Sequence, residues 1–284
     1  MKTVNQWLKD KLATQSVKLA HIARIRRKDG QLFGFIESDV PVTIEGVEYK
    51  PQEGMKQSTT KWSSKGTPNH QTFVGYLSSP DIVEEELEAG LFDDARVDIA
   101  LIDLDNPPAV FAAGDMIWLG SFFIGEVKLI DGIFQAEIVS LSDKLRTPIV
   151  ELTSPTCRAS FGDARCKFDL STVRVATTIV SATATQIVVA DSIASLNMAY
   201  GKITINTGRL KGQTFDVLSA ADATTLDLFI PLELQPAVGD SVSVYGGCDK
   251  TIAACRGYNN AVNFQGEPNI PGADKWKAGF REVL

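Results

Sequence analysis

The sequence predicts a mainly β protein, a β-rich α+β chain in three parts. Three observations predict it. In the first half, the turn dipeptides Asp29-Gly30, Glu45-Gly46 and Asp131-Gly132 separate alternating apolar runs, which is the hairpin signal. From Ser171 to Tyr245 charge becomes sparse, and short runs rich in Thr, Val, Ala and Ile recur between Gly, Asn and Asp. From Gly246 onward the chain is dense in turn-forming residues and nearly without periodicity. These shifts divide the chain into three: residues 1–150, a domain of hairpins with short helices; residues 171–245, an inserted small β-barrel; and residues 151–170 plus 246–284, an irregular domain holding all four cysteines.

The elements follow in order. Thr3 to Leu12 reads as a short helix, with Thr3 and Gln6 spaced as a capping box and Val4, Trp7, Leu8 and Leu12 on one stripe. Lys18–Arg27 and Gln31–Ile36 alternate on either side of Asp29-Gly30. Val42–Tyr49 repeats the pattern around Glu45-Gly46. Ser79-Pro80 opens a short acidic helix, with Glu84, Glu85 and Glu86 near its positive end and Gly90 as its stop. Arg96–Leu104 is a strand that ends at Asn106-Pro107-Pro108. Ile124–Ile130 and Ile133–Val139 flank Asp131-Gly132, and Ser142–Arg146 reads as one helical turn. In the barrel segment six strands are expected: Val173–Ile179, Gln186–Val189, Lys202–Ile205, Thr214–Leu218, Thr225–Ile230 and Ser241–Tyr245. Because this module lies between the two cysteine pairs, its ends must return to one place if the cysteines meet.

Composition is that of an ordinary globular chain, 44% hydrophobic and 22% charged. No apolar run reaches the roughly 18–20 residues that cross a bilayer. The opening residues lack the apolar core of a secretory signal, so folding in a reducing cytosol is expected. The net charge of −7 argues against a protein whose task is gripping phosphate backbones. Residues 17–28 carry Lys18, Arg24, Arg26, Arg27 and Lys28 with no acid, whereas residues 80–105 carry ten acids and one base, Arg96. Two solvated faces are the plainer expectation; complementary patches in a homo-oligomer or stacked assembly are the sharper one.

The cysteines are the chemical signal. Cys157 and Cys166 are separated by eight residues, Cys248 and Cys255 by six, with 81 cysteine-free residues between the pairs. Four soft thiolates that converge make an all-cysteine metal or iron–sulfur site. Buried apolar cysteines and two disulfides are the other readings; the pairing weakens the first and a reducing compartment the second. Zinc ribbons use tighter spacings, because a short knuckle aims backbone N–H groups at the sulfurs. A larger cluster suits wider loops, yet the spacing matches neither common ferredoxin pattern. Spacing alone leaves zinc and iron–sulfur both open.

Three segments resemble the hub (tail-tip) protein family of long-tailed phages and gene transfer agents, a wider group that includes the tail-tip protein of phage lambda. They are Thr156-Cys157 with Gly162-Asp163-Ala164-Arg165-Cys166; Gly247-Cys248-Asp249-Lys250-Thr251 with Cys255-Arg256; and Asn259-Asn260, Asn263-Phe264, Gly266, Pro268 and Ile270-Pro271-Gly272. Looser matches are Arg26-Arg27-Lys28-Asp29-Gly30 with Gly34-Phe35, Leu77-Ser78-Ser79, and Glu86-Leu87, Ala89-Gly90 and Phe92-Asp93. Tyr258 and Glu267 depart from what relatives often carry.

The resemblance implies a virion structural protein, not an enzyme, that closes the tail tube at the tail tip and is assembled in the host cytoplasm. It implies a [4Fe–4S] cluster on Cys157, Cys166, Cys248 and Cys255; zinc is the alternative cofactor that the cysteine count and spacing leave open. It implies a homotrimer whose partners are the distal tail protein ring, the tape measure C-terminus and a central tail fibre or host-specificity protein. No membrane partner is expected, and DNA enters only as cargo passing a channel.

A nucleic-acid-processing protein is the competing class. Asp115 upstream of Glu126-Val127-Lys128 mimics a metal-dependent nuclease core, although Glu126 and Lys128 also fit the solvent face of a strand. His21 and His70 are the only histidines, and His21 sits in an alternating strand where a packed or surface role is expected. Serine-nucleophile and phosphate-loop patterns do not occur.

Overall fold

The computed structural model describes residues 5–14, 17–51, 56–57, 70–76, 82–112, 114–130, 133–141 and 151–270; side chains are described for all of these except 56–57, 70–76, 129–130 and 133–135. The chain divides into two compact units, Met1–Thr147 and Pro148–Leu284.

The first unit is built on one nine-stranded sheet. Its strands are β1 (Leu19–Arg26), β2 (Leu32–Ile36), β3 (Val42–Ile44), β4 (Val47–Pro51), β5 (Lys56–Gln57), β6 (His70–Tyr76), β7 (Arg96–Asp103), β8 (Ile117–Ile130) and β9 (Ile133–Ser140). Their order is β3-β4-β2-β1-β7-β8-β9-β6-β5, antiparallel except for the parallel pair β2/β4. The hairpins fall where the turn residues put them. Glu45 and Gly46 both adopt positive φ, 55° and 77°, the two-residue turn whose twist matches its strands. Gly30 takes φ 92° between β1 and β2. The β8/β9 hairpin is present, and its turn at 131–132 lies outside the described residues.

β8 is longer than its sequence suggests. It runs 14 residues, pairing first with β7 and then with β9, and breaks register once against each. Those bulges, beside Gly120 and Gly125, scramble the alternation that would otherwise mark a strand. A core of Ala20, Ile22, Ile36, Ile44, Tyr49, Ala100, Ile102, Phe111 and Met116 covers one face. On the other, Ala23, Ile25, Phe35, Val97 and Ile99 are buried as well, and Phe33 packs its ring 5.4 Å from Phe92.

Helix α1 (Gln6–Leu12) begins later than expected. Asn5 is its N-cap residue without a side-chain cap, and Thr3 lies outside the described residues. The Asn5 side chain instead donates to Asp115, while its backbone N–H donates to the Gly114 carbonyl at 2.8 Å. Lys11 on the same helix reaches the buried Asp103 at 2.5 Å. Helix α2 (Glu84–Glu88) has Val83, not Ser79, at its N-cap; Ser79 and Pro80 lie outside the described residues, as does the turn expected at 142–146. Its acidic first turn and the Gly90 stop (φ 70°) are as expected.

The basic and acidic stretches are partners within this unit rather than separate solvated faces. β1 and β7 lie side by side. The buried Arg27 pairs with Asp29 and with Glu86 of α2 at 2.5 and 2.7 Å. Lys28 reaches Asp94, and Lys18 reaches Asp105. Arg24, 7% exposed, donates to Glu45 at 2.8 Å and lies 3.7 Å over the Phe111 ring. Burying guanidinium groups demands such pairing, because desolvated charge is otherwise too costly.

The second unit contains a closed barrel of β10 (Arg174–Ala182), β11 (Gln186–Val189), β12 (Lys202–Ile205), β13 (Thr214–Ala220), β14 (Thr225–Leu228) and β15 (Ser241–Tyr245), in the order β10-β11-β14-β13-β12-β15. Alternation fills it. Ile179, Ile187, Val189, Ile203, Ile205, Val217, Leu226, Leu228, Val242 and Val244 are all buried, and most of their strand neighbours are exposed or half-buried; Ser243, between Val242 and Val244, is buried and accepts from Arg174 and Asn206. The first and last strands pair, with Arg174 opposite Tyr245. Residues 170–174 and 245–247 therefore leave the barrel from one end, and both cysteine segments start there.

Candidate functional site

The first cysteine pair is set by an acidic turn. The Asp163 carboxylate accepts backbone N–H bonds from Ser160, Arg165 and Cys166 at 2.9, 2.9 and 2.7 Å. Those bonds, that from Cys166 foremost, hold its pKa below the usual carboxylate value. Gly162 must be glycine, since its φ is 78° and a Cβ would stand 2.3 Å from Leu170 Cγ.

The second pair is set by a helix start. Asp249 accepts from the Thr251 backbone and hydroxyl, and Thr251 caps helix α3 (Ile252–Gly257) by accepting from Ala254 N–H at 3.1 Å. That turn places Cys255 on the inner side of α3, 8% exposed. At Gly247 a Cβ would lie 2.0 Å from the Ala199 carbonyl oxygen, so the chain passes the barrel only as glycine.

The two pairs are stitched together. Cys157 N–H donates to the Lys250 carbonyl at 2.8 Å, and the Lys250 ammonium donates to the Ala159 carbonyl. Residues 260–267 then cross the first segment as a strap. Arg158 N–H donates to the Gln265 carbonyl at 3.0 Å, and Glu267 N–H to that of Ser154 at 2.8 Å. Arg158 grips the Glu267 carboxylate with two nitrogens, at 2.6 and 2.8 Å. On the other side, Phe161, Phe168 and Tyr258 form an aromatic triad with centroids 4.9–5.1 Å apart. The Tyr258 hydroxyl donates to the Gly247 carbonyl at 2.7 Å.

The result is one cavity lined by Cys157, Cys166, Cys248 and Cys255 and walled by Phe161 and Tyr258. All four cysteines are free thiols. Gln265 N–H and Asn260 Nδ2 each stand 3.4 Å from a sulfur, that of Cys157 and of Cys166 respectively. The Lys250 backbone N–H faces the Cys248 sulfur. Burial pushes both the Cys248 and Cys255 thiols up, and the other three cysteines raise Cys255 further. Lys167, Lys250 and Asn259, beside or within four residues of a cysteine, hold positive φ of 57°, 65° and 52°. Such strain persists only where the surroundings enforce it.

This donor set fits a soft metal centre. Burial and the neighbouring cysteines disfavour the thiolate form at Cys248 and Cys255, and a bound cation would stabilise it. Backbone and amide N–H groups already face three of the sulfurs, as such centres require. Among the described residues, no group of three or more His, Cys, Asp or Glu side chains is placed closely enough to hold a metal ion.

The other sequence candidates do not join this site. Asp115 is bound to Asn5. Glu126 is exposed and paired with Lys128 at 3.2 Å. Asp115 lies two residues before β8 and Glu126 nine residues into it, and at a strand's rise per residue of about 3.3 Å the β8 part alone spans roughly 30 Å, too far to share a metal. His21 lies on β1, paired with Glu37 at 2.7 Å; His70 starts β6, where side chains are not described. Sequence reasoning assigned no role to Asn260, Asn263, Glu267 or the aromatic triad. The cluster of Asn and Gly after Cys255 was the available signal.

Comparison with known proteins places this geometry in context. Residues 5–169, more than half of the chain, match the family described as baseplate hub protein, N-terminal attachment domain. Residues 197–274 match a second family, described as phage conserved hypothetical protein BR0599. The first span holds Cys157 and Cys166, the second Cys248 and Cys255. Among solved structures, a chain of the virion of a native gene transfer agent particle is similar, with a TM-score of 0.82 and 28% identity. The likeness covers 95% of this chain and 94% of that one. No curated protein matches the sequence significantly.

Proposed function

The chain belongs to the baseplate hub protein family of phages, and from that membership we propose that it is a structural virion subunit of a tail hub that closes the tail tube at its tip. The observation that carries the reading is the likeness, over nearly the whole chain, to a subunit of a gene transfer agent virion. The role is structural rather than catalytic, as membership of a hub protein family suggests. As a hub, the chain would form a trimer and contact the distal tail protein ring, the tape measure C-terminus and a central fibre or host-specificity protein. DNA would pass as cargo, which suits the net charge of −7.

The same proposal includes a [4Fe–4S] cluster held by Cys157, Cys166, Cys248 and Cys255. When bound, such a cluster supplies four strong iron–thiolate bonds that tie the irregular segments together. Its support is the convergence of both pairs on the lining of one cavity. Zinc is the second reading, favoured by the count of four thiolates. A nuclease role has no geometric support, because Asp115 and Glu126 are apart.

Anaerobic purification with iron, zinc and sulfide analysis and an absorption spectrum tests the cofactor. Iron with sulfide and a broad visible band is the expected result; zinc without sulfide would overturn it. Electron microscopy of tails carrying the chain tests the hub role, which a position away from the tail tip would reject. A divalent-cation-dependent DNA cleavage assay, with Glu126→Gln as control, is expected to show no activity.

A further inference from the structure

The four sulfurs differ in surroundings, and one residue reaches a cysteine of each pair. Asn260 donates its backbone N–H to the Cys255 carbonyl at 2.9 Å. Its side-chain nitrogen donates to the Cys166 carbonyl at 2.7 Å and faces the Cys166 sulfur at 3.4 Å. Its side-chain oxygen accepts from Asn263 Nδ2 at 2.7 Å. That network fixes which way the amide points. A flipped amide would set its oxygen against the Cys166 carbonyl and its nitrogen against the Asn263 donor, losing both bonds. The donor end is therefore held toward the sulfur by a partner that touches neither Cys166 nor Cys255 through its amide.

We propose that Asn260 is the positioning residue of the cysteine site. It locks Cys166 to Cys255 across the two segments and aims an amide donor at the Cys166 sulfur, where it stabilises negative charge on a metal-bound thiolate, with Asn263 setting the amide's orientation. The inference rests on the iron–sulfur reading above. Donors to cluster sulfurs offset the charge added on reduction, so removing one makes the centre harder to reduce. A purely structural asparagine would leave the potential unmoved.

The test uses the full chain purified anaerobically. Iron and sulfide content, the midpoint potential from an electrode titration, and the rate of bleaching by an iron chelator are measured for wild type, Asn260→Ala, Asn260→Asp and Asn263→Ala. In Asn260→Ala, with iron and sulfide still bound, the potential is expected to move negative and bleaching to quicken about 10-fold, the lower end for a lost outer-shell partner. Asn260→Asp should move the potential further in the same direction, because it adds negative charge. Asn263→Ala should show a smaller shift of the same sign. If Asn260→Ala is insoluble, Asn263→Ala decides on the same readouts. Unchanged potential and bleaching rate in loaded variants would overturn the role of Asn260. A wild-type chain without iron and sulfide would overturn the cofactor reading instead, so the two failures are distinct.

Discussion

Arg158 and Glu267 stand 109 residues apart and meet as a two-point ion pair, both guanidinium nitrogens within 2.8 Å of a carboxylate oxygen. The pair closes the strap over Cys157. Glu151 completes it by accepting from Arg158 at 3.2 Å and pairing with Arg165. Geometry of this kind orients the partners far better than a lone surface contact does.

The clamp predicts a pH dependence. Hydrogen bonding from Arg158 first, and from the Ser154 backbone next, pulls the Glu267 carboxyl down to about 2 from 4.5. A carboxyl whose folded pKa is depressed stabilises above the unfolded value and loses that contribution as pH falls through the folded one. Hydrogen-exchange protection of residues 264–267 should therefore hold above pH 4.5 and weaken toward pH 2. Glu267→Gln should lower protection at neutral pH and flatten this dependence. An unchanged acid profile in Glu267→Gln would show that the pair does not hold the strap.

Two glycines should respond in opposite ways. Gly247→Ala puts a Cβ 2.0 Å from the Ala199 carbonyl oxygen and 2.3 Å from the Tyr200 carbonyl carbon, both backbone. The second unit should lose about 3 kcal/mol, the upper end for overpacking. Gly257 ends α3 with nothing within 4 Å of a Cβ. Gly257→Ala should be neutral or stabilise by about 0.5–1 kcal/mol, through loss of unfolded-state freedom. Calorimetry of the two variants gives both signs.

The contrast between local and distant contacts also explains what the sequence could be made to say. The six barrel strands were legible because Ile187, Ile203, Val242 and their like alternate with polar residues around a single core. The turns at Gly30 and Gly46 were legible because positive φ selects glycine. β5 and β6 carried no strand signal strong enough to be read, and the first half of β8 was hidden by its bulges. The pairing of the basic β1 region with the acidic stretch was invisible, because charge alone does not reveal that β1 neighbours β7. Asn260 and Glu267 act on residues 94 and 113 positions away, through Cys166 and Ser154. No local pattern encodes such a contact.

Tyr49 offers a test of the first unit's core. It is fully buried, and among the described residues its hydroxyl makes no hydrogen bond of good geometry, although Arg24 lies near enough to act on it. Burial pushes its phenol up to about 12, against the opposing charge of nearby Arg24. Removing a buried hydroxyl without a hydrogen bond of good geometry relieves a desolvation penalty. Tyr49→Phe should be neutral or stabilise by up to about 1 kcal/mol in thermal unfolding. A clear loss of stability would mean that the hydroxyl serves Arg24 after all.

The cysteines should matter to one part of the second unit more than to the other. The barrel has its own core, with Ile187, Ile203, Leu226, Val242 and Val244 all at 0% exposure. The segments 151–170 and 246–270 have only short helical turns, the aromatic triad and the strap. On the proposed iron–sulfur reading, Cys248→Ser and Cys255→Ser should each abolish the visible absorbance that the cluster would give and strip hydrogen-exchange protection from those two segments. β10–β15 should stay protected. Chelation of the wild-type chain should reproduce the pattern, because a structural centre stabilises the fold by the free energy of binding its ligands. Cys166→Ser should behave alike, since its sulfur is as buried as that of Cys255 and its carbonyl anchors Asn260. Unchanged protection in colourless variants would show that the segments fold without the centre, and the cysteines would then need another role.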